Sequence, residues 1–439
     1  MSLRFLHLSD IHFSTKPGDE QIVHTDVRDQ LLHDLRNEIV PRLEKIDTVL
    51  IAGDIAFSGK REEYQKAAEW LEEVTSICKC ERTAVLTVPG NHDVDCGRIL
   101  PTTKMIHKRL RTCSLPEAMH ELVELAASND GTLTDKLAEY QAFASSYGCH
   151  FKSPSRPHWD RLYTLDGNRN LNILGLTTVQ VCDLQDQKGA LLLGRHQYIF
   201  DRAPCVEQIV VMHHPLEWLK DRPEATQYLS TRARVLLFGH EHMQDISKIV
   251  DANHEERLVI SSGAVTPDHA TEPYIYRYNI LDFSLADVQG DPCLAVTVFP
   301  RVWIPERTRF DADSARLGGR DSTTFSLRCP QFTLPPIPTG NVLPVVPDPT
   351  NAHSNMQTDN IEAFSLLSYF FWRYLGWQDR LKVLVKSDVL PNVSQVPLPQ
   401  AVEHMALERA RKEGKLGQIW DLTMHFVPNA KREANPFVH

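Results

Sequence analysis

The stretch Val88-Pro89-Gly90-Asn91-His92-Asp93 places an amide, an imidazole and a carboxylate directly after an apolar run. The residues before it, 83–88, are rich in β-branched side chains, which favour a strand. Pro89 cannot continue the hydrogen-bond ladder of a strand, and Gly90 allows the backbone to turn sharply. The sequence therefore predicts that these polar side chains stand in a loop at the end of a strand.

Four further apolar runs end in the same way. They are residues 3–8 before Asp10-Ile11-His12, 48–52 before Gly53-Asp54, 209–212 before His213-His214-Pro215, and 235–238 before Gly239-His240-Glu241-His242. In α/β proteins, functional residues lie in loops at the carboxyl ends of the strands. We therefore expect the five loops to form one functional site.

Together and in this order, the five motifs resemble those of the calcineurin-like metallophosphoesterases. The matching residues are Asp10-x-His12, Gly53-Asp54, Gly90-Asn91-His92-Asp93, His213 and Gly239-His240-x-His242. Five motifs, each after an apolar run, are far more specific than any one alone. The resemblance covers about residues 1–305 and implies a four-layer αββα sandwich of the α/β class that hydrolyses phosphoesters.

The side chains in these loops are carboxylates, amides and imidazoles without a thiolate. Such donors suit Mn²⁺, Fe or Zn²⁺ and argue against a structural zinc cage. The resemblance implies two ions with one shared ligand: Asp10, His12 and His242 hold one ion, Asn91, His213 and His240 hold the other, and Asp54 bridges them. Two ions about 3.5–4 Å apart can activate water and stabilise phosphoryl oxygens during in-line displacement.

The resemblance also assigns the two residues that follow Asn91. It implies that His92 is the general acid near the leaving-group oxygen, and that Asp93 orients and electrostatically supports the ring of His92. Taken alone, Asp54 could equally be an ordinary turn aspartate after a glycine. The four companion motifs favour the ligand interpretation.

The histidine doublet at 213 and 214 leaves a choice of ligand. His213 is the predicted ligand because it stands two positions before Pro215, as the His-x-Pro pattern of the family requires. The chain has 20 histidines, so a lone histidine is interpreted as solvated or hydrogen-bonded. This interpretation applies to His214, as it does to His7, His24 and His33.

Composition limits the partners of the protein. A net charge of −10 gives no sequence-wide attraction to nucleic acid or to an anionic membrane, so nucleic acid stays open as a partner but unsupported. No apolar run approaches the roughly 18–20 residues of a membrane span.

The nine cysteines lack C-x₂-C spacing, and no basic region with an apolar signal core stands near residue 1. We expect a cytoplasmic protein with reduced thiols and no membrane partner.

The 439 residues indicate two or three domains. Apolar residues between 27 and 43 recur at helical spacing, and a second helix is predicted over 61–77, so helices and strands alternate as in an α/β sheet. Residues 97–156 interrupt this alternation with predicted helices over 103–112, 116–127 and 133–146. We expect this insertion to overhang the site and help to define the substrate; the alternative is a lid that only thickens the fold.

The composition changes after the first predicted domain, 1–329. Seven prolines punctuate residues 330–349, and the predicted linker covers 330–360. Residues 361–439 predict a small helical domain, in which Phe364, Leu367, Phe371 and Leu375 share one helical face. This segment loosely resembles bacterial effector-associated domains, death-fold-like adaptors of conflict and defence systems. The resemblance implies a protein partner; the alternative is a helical cap on the catalytic domain.

Three functions follow from these observations. The favoured one is a dinuclear-metal phosphoesterase acting on phosphodiesters of nucleotides or cyclic nucleotides. The second is a DNA or RNA nuclease, which would need a groove that follows a nucleic-acid backbone, and no basic run marks one. The third is a scaffold that only uses the fold. A protein that serves only as a scaffold is expected to have lost some of the metal-ligating residues, whereas this chain has all of them.

Overall fold

The computed structural model describes residues 2–16, 18–128, 130–153, 155–183, 185–242, 245–251, 255–266, 275–333, 353–391 and 397–437, with the backbone but not the side chains of 19–21 and 353–360. Its strands are Ser2–Leu8 (β1), Thr48–Ile51 (β2), Val85–Thr87 (β3), His158–Asp166 (β4), Arg169–Leu176 (β5), Val206–Val211 (β6), Val235–Phe238 (β7), Asp245–Val250 (β8), Glu256–Ser261 (β9), Arg277–Val288 (β10), Asp291–Ile304 (β11), Arg309–Ala312 (β12) and Thr323–Arg328 (β13).

The helices are Asp19–Asp34 (α1), Val40–Leu43 (α2), Arg61–Cys78 (α3), Pro101–Thr112 (α4), Leu115–Ser128 (α5), Ala138–Ser146 (α6), Arg195–Tyr198 (α7), Arg222–Arg232 (α8), His353–Tyr374 (α9), Trp377–Lys386 (α10), Gln400–Lys412 (α11) and Leu416–Met424 (α12). A π-helical turn, Leu35–Ile39, joins α1 to α2. Of the predicted linker, residues 334–352 lie outside the described residues, and 353–360 form the first turns of α9.

The strands form two sheets, which confirms the predicted α/β class. The first has the order β12-β11-β10-β1-β2-β3, with β13 also paired to β11, and the second has the order β4-β5-β6-β7-β9-β8. Strands β1, β2 and β3 run parallel, and so do β5, β6, β7 and β9. The carboxyl ends of parallel neighbours lie at the same edge of a sheet, so the loops after β1, β2 and β3 emerge together, as do those after β6 and β7.

Aromatic side chains join the inner faces of the two sheets. The ring of Phe5 on β1 lies 5.4 Å from Tyr163 on β4 of the other sheet and 5.5 Å from Phe283 on β10, its neighbour in the same sheet, in edge-to-face contacts. The indole of Trp159 donates a hydrogen bond of 2.7 Å to the carbonyl of Thr87 at the end of β3. This bond joins β4 to the segment that continues into Gly90-Asn91-His92.

Two strands of the second sheet, β4 and β8, are not predicted from the sequence. They are its two edge strands, and many of their side chains face solvent, including Leu162, which is 57% exposed. An edge strand with one neighbour buries few side chains, so the alternation of apolar and polar residues that reveals a strand is weak.

The chain forms two compact units. One comprises residues 1–140 and 151–336, and the other comprises 141–150 and 337–439. The second unit is all-helical in its described C-terminal part, as the sequence predicts. Its core includes Trp420 and Phe370, whose rings are 5.6 Å apart. A buried ion pair joins α10 to α11, because the guanidinium of Arg380 donates to both carboxylate oxygens of Glu403 at 3.1 Å.

Residues 141–150 are an integral part of this second unit. The ring of His150 stacks on His404 of α11, with centroids 3.6 Å apart and planes inclined by 14°. The Nε2 atom of His404 is 2.9 Å from the hydroxyl of Ser145, and Tyr147 contacts Tyr369 of α9 with ring centroids 6.0 Å apart. The unit is therefore assembled from two stretches that are far apart in sequence.

His7 on β1 departs from its sequence interpretation. It is completely buried between neighbours Leu50 on β2 and Asn279 on β10, and neither ring nitrogen has a hydrogen-bond partner among the described residues. Within the part of the chain that the structure describes, it is therefore neither solvated nor hydrogen-bonded. Burial disfavours the charged imidazolium and lowers the pKa of His7 from 6.5 to about 3.

We expect His7 to make the protein less stable in mild acid. The unfolded chain takes up a proton near pH 6.5 but the folded chain only near pH 3, so stability is complete above about pH 6.5 and falls by about 1.4 kcal/mol per pH unit below it. Relative to His7→Leu, the wild-type protein should lose about 2 kcal/mol between pH 8 and pH 5. Urea unfolding at both values measures this, with the exposed His33→Ala as control. Equal losses in wild type and His7→Leu would contradict the prediction.

Candidate active site and metal centre

The loops at the strand ends adopt an unusual backbone conformation. Five of the predicted ligands have positive φ angles: Asp10 (53°), His12 (48°), Asp54 (53°), His240 (70°) and His242 (52°). Residues other than glycine seldom adopt this left-handed conformation, and it persists only where the surroundings enforce it. Such a concentration of strained backbone in three neighbouring loops marks a functional site.

Two glycines allow these loops to approach one another. A Cβ atom on Gly90 would lie 2.1 Å from Oδ1 of Asp54, and a Cβ atom on Gly53 would lie 2.4 Å from Nδ1 of His213. Any side chain at either position would displace a predicted ligand. The glycines after β2 and β3 are therefore required for close packing around Asp54.

The first predicted ligand set, Asp10, His12 and His242, is brought together by the fold. One potential donor atom from each residue lies within 4.8 Å of the other two. The Nε2 atom of His242 is 3.2 Å from Oδ1 of Asp10. The other oxygen of Asp10 accepts the main-chain N–H of His240 at 3.2 Å and a hydrogen bond from Ser9, which fixes the carboxylate.

Asp54 stands between this set and the second one. Its Oδ2 atom lies 3.4 Å from Nε2 of His12 and 3.2 Å from Nε2 of His213, and its Oδ1 atom accepts the main-chain N–H of His92 at 2.8 Å. In the second set, Nε2 of His213 is also 3.1 Å from Oδ1 of Asn91. His213 and His240 contribute donor atoms to one group within 4.8 Å.

The chemistry of these atoms fits metal ions. Nδ1 of His12 lies 2.7 Å from the carbonyl of Thr266, and Nδ1 of His213 lies 2.8 Å from the carbonyl of Ala52. A carbonyl only accepts, so Nδ1 carries a proton in both rings, and in the neutral form, which a metal ligand must adopt, the lone pair is on Nε2. The Nε2 atom of His12 is buried and has no hydrogen-bond partner among the described residues. This nitrogen is therefore available to coordinate a cation.

The carboxylates and imidazoles of the cluster shift each other's pKa values. Burial would raise the pKa of Asp54, but His213 and His92 hold it well below its ordinary value. In the same way, burial would raise the pKa of Asp10, but His242 lowers it. Burial would lower the pKa of His213, but the charge of Asp54 raises it to about 9. Both carboxylates are therefore ionised at neutral pH, as metal ligands must be.

His92 borders the first ligand set. Its ring centroid is 4.7 Å from that of His12 and 5.3 Å from that of Phe57, and its Nδ1 atom lies 3.0 Å from the carbonyl of Phe57. The same argument from the carbonyl acceptor places a proton on Nδ1. The other nitrogen, Nε2, is then the atom that can exchange a proton with a substrate.

The described contacts of Asp93 are with the main chain and with Tyr64. The resemblance implies that Asp93 orients and supports the ring of His92, whose Nδ1 atom is bound by the carbonyl of Phe57. The buried carboxylate of Asp93 accepts from the main-chain N–H groups of Ile55, Ala56 and Gly90 and from the hydroxyl of Tyr64, at 2.9–3.3 Å. Burial, with a contribution from Asp54, raises the pKa of Asp93 to about 6. Asp93 holds together the loops after β2 and β3.

The structure also places residues in the site that the sequence interpretation leaves out. His214 is completely buried and contributes a donor atom to the group formed by His213 and His240. Trp218 lies edge-on to His240, with ring centroids 4.2 Å apart. In the sequence, the doublet His213-His214 is the feature that could have identified His214. Phe57 and Tyr64 carry no such signal, because they contribute through ring contacts and a single hydroxyl.

The sequence model of the calcineurin-like phosphoesterases matches residues 3–244, more than half of the chain. The chain belongs to this family. All seven predicted ligands of the phosphoesterase, together with His92 and Asp93, lie inside the matched segment. Among curated proteins, none matches this chain.

Several solved structures resemble parts of this chain. Vps29 of Entamoeba histolytica complexed with Zn²⁺ is 10% identical over 74% of this chain and 99% of that chain, with a TM-score of 0.30. A putative 5'-nucleotidase of Staphylococcus aureus in complex with α-ketoglutarate is 14% identical over 66% and 52%, with a TM-score of 0.33. A 5'-nucleotidase precursor of Thermus thermophilus is 14% identical over 73% and 58%, with a TM-score of 0.35. At such scores the likenesses carry no argument about function.

The C-terminal helices of the phosphoesterase match a second sequence model, that of the GTPase-associated adaptor domain, over residues 363–425. This match confirms the adaptor predicted for the C-terminal segment, with the difference that the matching model is described by association with GTPases. Within the described parts of the chain, no helix has both the length and the apolar character needed to cross a bilayer.

Proposed function

We propose that the protein is a dinuclear-metal phosphodiesterase that acts on nucleotides or cyclic nucleotides. One observation carries the proposal: a single oxygen of Asp54 lies within 3.4 Å of Nε2 of both His12 and His213. These two nitrogens belong to different ligand sets. A shared carboxylate between two imidazole-rich sets is the arrangement that a pair of cations requires.

The ligands would divide as the family resemblance implies. Asp10, His12 and His242 would hold one ion, Asn91, His213 and His240 the other, and Asp54 would bridge them. The oxygen and nitrogen donors suit Mn, Fe or Zn. When bound, the ions supply Lewis acidity toward the phosphoryl oxygens and lower the pKa of water.

His92 would act on the leaving group. Water adds to phosphorus, the bond from phosphorus to the ester oxygen breaks, and that oxygen needs a proton. In the imidazolium form, His92 can donate the proton from Nε2, because Nδ1 keeps its proton against the carbonyl of Phe57. The main-chain bond from His92 to Asp54 and the loop contacts of Asp93 hold the ring in place.

Phe57 supports a nucleotide as the substrate. Its half-buried ring adjoins the ring of His92, the proposed acid, with centroids 5.3 Å apart. Aromatic rings stack on nucleobases with little dependence on sequence. We infer that the leaving group is a nucleoside, either free or within a cyclic nucleotide. A nuclease would need a basic groove in addition, and a scaffold protein would not need an intact ligand set.

The adaptor would recruit a protein partner, as its resemblance to defence-system modules implies. Met405 on α11 and Phe426 after α12 are 63% and 40% exposed, so both provide apolar contact area for a partner. We expect Met405→Glu and Phe426→Glu to lose a protein that co-precipitates with the wild type, without a change in the hydrolysis of small esters. If both variants retain every co-precipitating protein, Met405 and Phe426 do not form the binding surface for the partner.

A substrate panel tests the proposed reaction. The metal-free protein is loaded separately with Mn²⁺, Fe²⁺ or Zn²⁺ and assayed with a bis-aryl phosphate, an aryl monophosphate, cyclic nucleotides, and single- and double-stranded DNA. If the proposal is correct, we expect turnover of the bis-aryl phosphate and of a cyclic nucleotide. Hydrolysis of DNA alone would establish the nuclease, and no hydrolysis with two ions bound would favour the scaffold.

A further inference from the structure

His214 occupies a position in the second ligand set to which the family resemblance gives no role. A donor atom of its ring lies within 4.8 Å of donor atoms of both His213 and His240. The side chain is completely buried, and its Nε2 atom has no hydrogen-bond partner among the described residues. A buried nitrogen without a partner is costly in a folded protein, and at His214, unlike at His7, the ring also lies beside two predicted metal ligands.

The other ring nitrogen of His214 is held by a buried hydroxyl. Its Nδ1 atom is 2.7 Å from Oγ1 of Thr178, which follows β5 and is itself completely buried. The same hydroxyl oxygen accepts the main-chain N–H of His214 at 3.4 Å. A hydroxyl can donate or accept, and in the tautomer in which Nδ1–H donates to this oxygen, the lone pair of the ring is on Nε2. That tautomer is the one of His12 and His213, whose Nδ1 atoms are bound by carbonyls.

The ring of His214 also packs against its neighbours. Its centroid is 4.3 Å from that of His240, 4.8 Å from that of His213 and 5.6 Å from that of Trp218. An apolar aromatic side chain could make the same packing contacts. Packing therefore explains neither the unpartnered Nε2 atom of His214 nor the contact of its Nδ1 atom with the hydroxyl of Thr178.

We propose that His214 is an additional ligand of the second ion, and that Thr178 is the positioning residue that orients it. The proposal rests on the dinuclear function proposed above. With His214, the second ion has five donors, Asp54, Asn91, His213, His214 and His240, against four for the first. Three imidazoles favour borderline ions such as Zn²⁺, Fe²⁺ or Co²⁺. The second ion would bind more tightly than the first.

Cobalt provides the test, because its visible absorption spectrum responds to coordination and needs no substrate. The full-length metal-free protein is titrated with Co²⁺ in the wild type, His214→Gln, Thr178→Val and Thr178→Ser. The control His107→Gln removes a buried histidine of α4 outside both ligand sets. We expect His214→Gln to weaken one of the two Co²⁺ sites at least about 100-fold and to change its spectrum. Thr178→Val should weaken the same site about 10-fold, as loss of an orienting partner does.

The outcomes separate the proposals. Thr178→Ser restores the hydroxyl and should bind like the wild type. If His214→Gln binds both Co²⁺ ions with wild-type affinity and spectrum, the role of His214 is overturned. If His214→Gln does not fold, equal Co²⁺ affinities of Thr178→Val and Thr178→Ser overturn it instead. Fewer than two ions in the wild type would overturn the dinuclear function itself, and this inference with it.

Discussion

Replacing Asp54 by alanine is expected to remove the metal ions from both sites and to lower kcat/KM for a bis-aryl phosphodiester at least about a thousandfold. The size follows from the several kcal/mol that metal ions contribute to stabilising charge in the transition state. Asp54 is the residue whose carboxylate faces both His12 and His213, so its loss affects both sets at once. Metal analysis of the purified variant and initial rates measure the two effects.

A second substitution separates charge from shape. Asp54→Asn keeps an oxygen that can accept the main-chain N–H of His92, so the loop after β3 should stay in place while the negative charge is lost. We expect the metal content of Asp54→Asn to fall nearly as far as that of Asp54→Ala. The control is Asp166→Asn, at an exposed carboxylate on β4. Two ions at normal occupancy with unchanged turnover in Asp54→Ala would refute the ligand assignment.

The second large effect is expected for His92→Ala. It should lower the turnover of esters with poor leaving groups about 10²- to 10⁴-fold, and that of activated aryl esters far less. An alkoxide leaves slowly without a proton, whereas a nitrophenolate leaves readily as the anion. A series of phosphodiesters with leaving groups of increasing pKa gives the measurement. The slope of log kcat against that pKa should become steeper in the variant.

Metal content is the companion measurement for His92, because its ring also lies within reach of His12 and Asp54. An acid catalyst can be removed without loss of metal, so His92→Ala should hold as much metal as the exposed control His33→Ala. An equal fall for good and poor leaving groups would show that His92 serves binding or structure. Loss of metal would identify His92 as a ligand.

The features that the sequence predicts well are those in which each motif directly follows an apolar run. Asp10, Asp54 and Asn91 come after β1, β2 and β3, which are parallel neighbours, so their convergence follows from the strand pattern. The distant His213 and His240 follow the parallel neighbours β6 and β7. The edge strands β4 and β8 escape prediction because one neighbouring strand leaves their pattern of burial weak.

The orienting contacts could not be predicted from residue types. The Nδ1 atoms of His12, His92 and His213 are bound by main-chain carbonyls, and every residue type provides such a carbonyl. The carboxylate of Asp93 likewise binds three main-chain N–H groups. A sequence therefore indicates which side chain carries the chemistry, but its main-chain partners depend on the folded path of the loops.

The composition of the second unit from residues 141–150 and 337–439 has a consequence for how such proteins diversify. An adaptor encoded in one contiguous stretch can be exchanged between genes by a single crossover. Here the stacked pair of His150 and His404 divides the adaptor's packing between two distant stretches of the gene. A hybrid that takes its C-terminal helices from a relative keeps the native stacking partner of its residue 404 only if it also takes residues 141–150 from that relative. Recombination should therefore inherit the two stretches together, and substitutions on either side of the stack should be correlated.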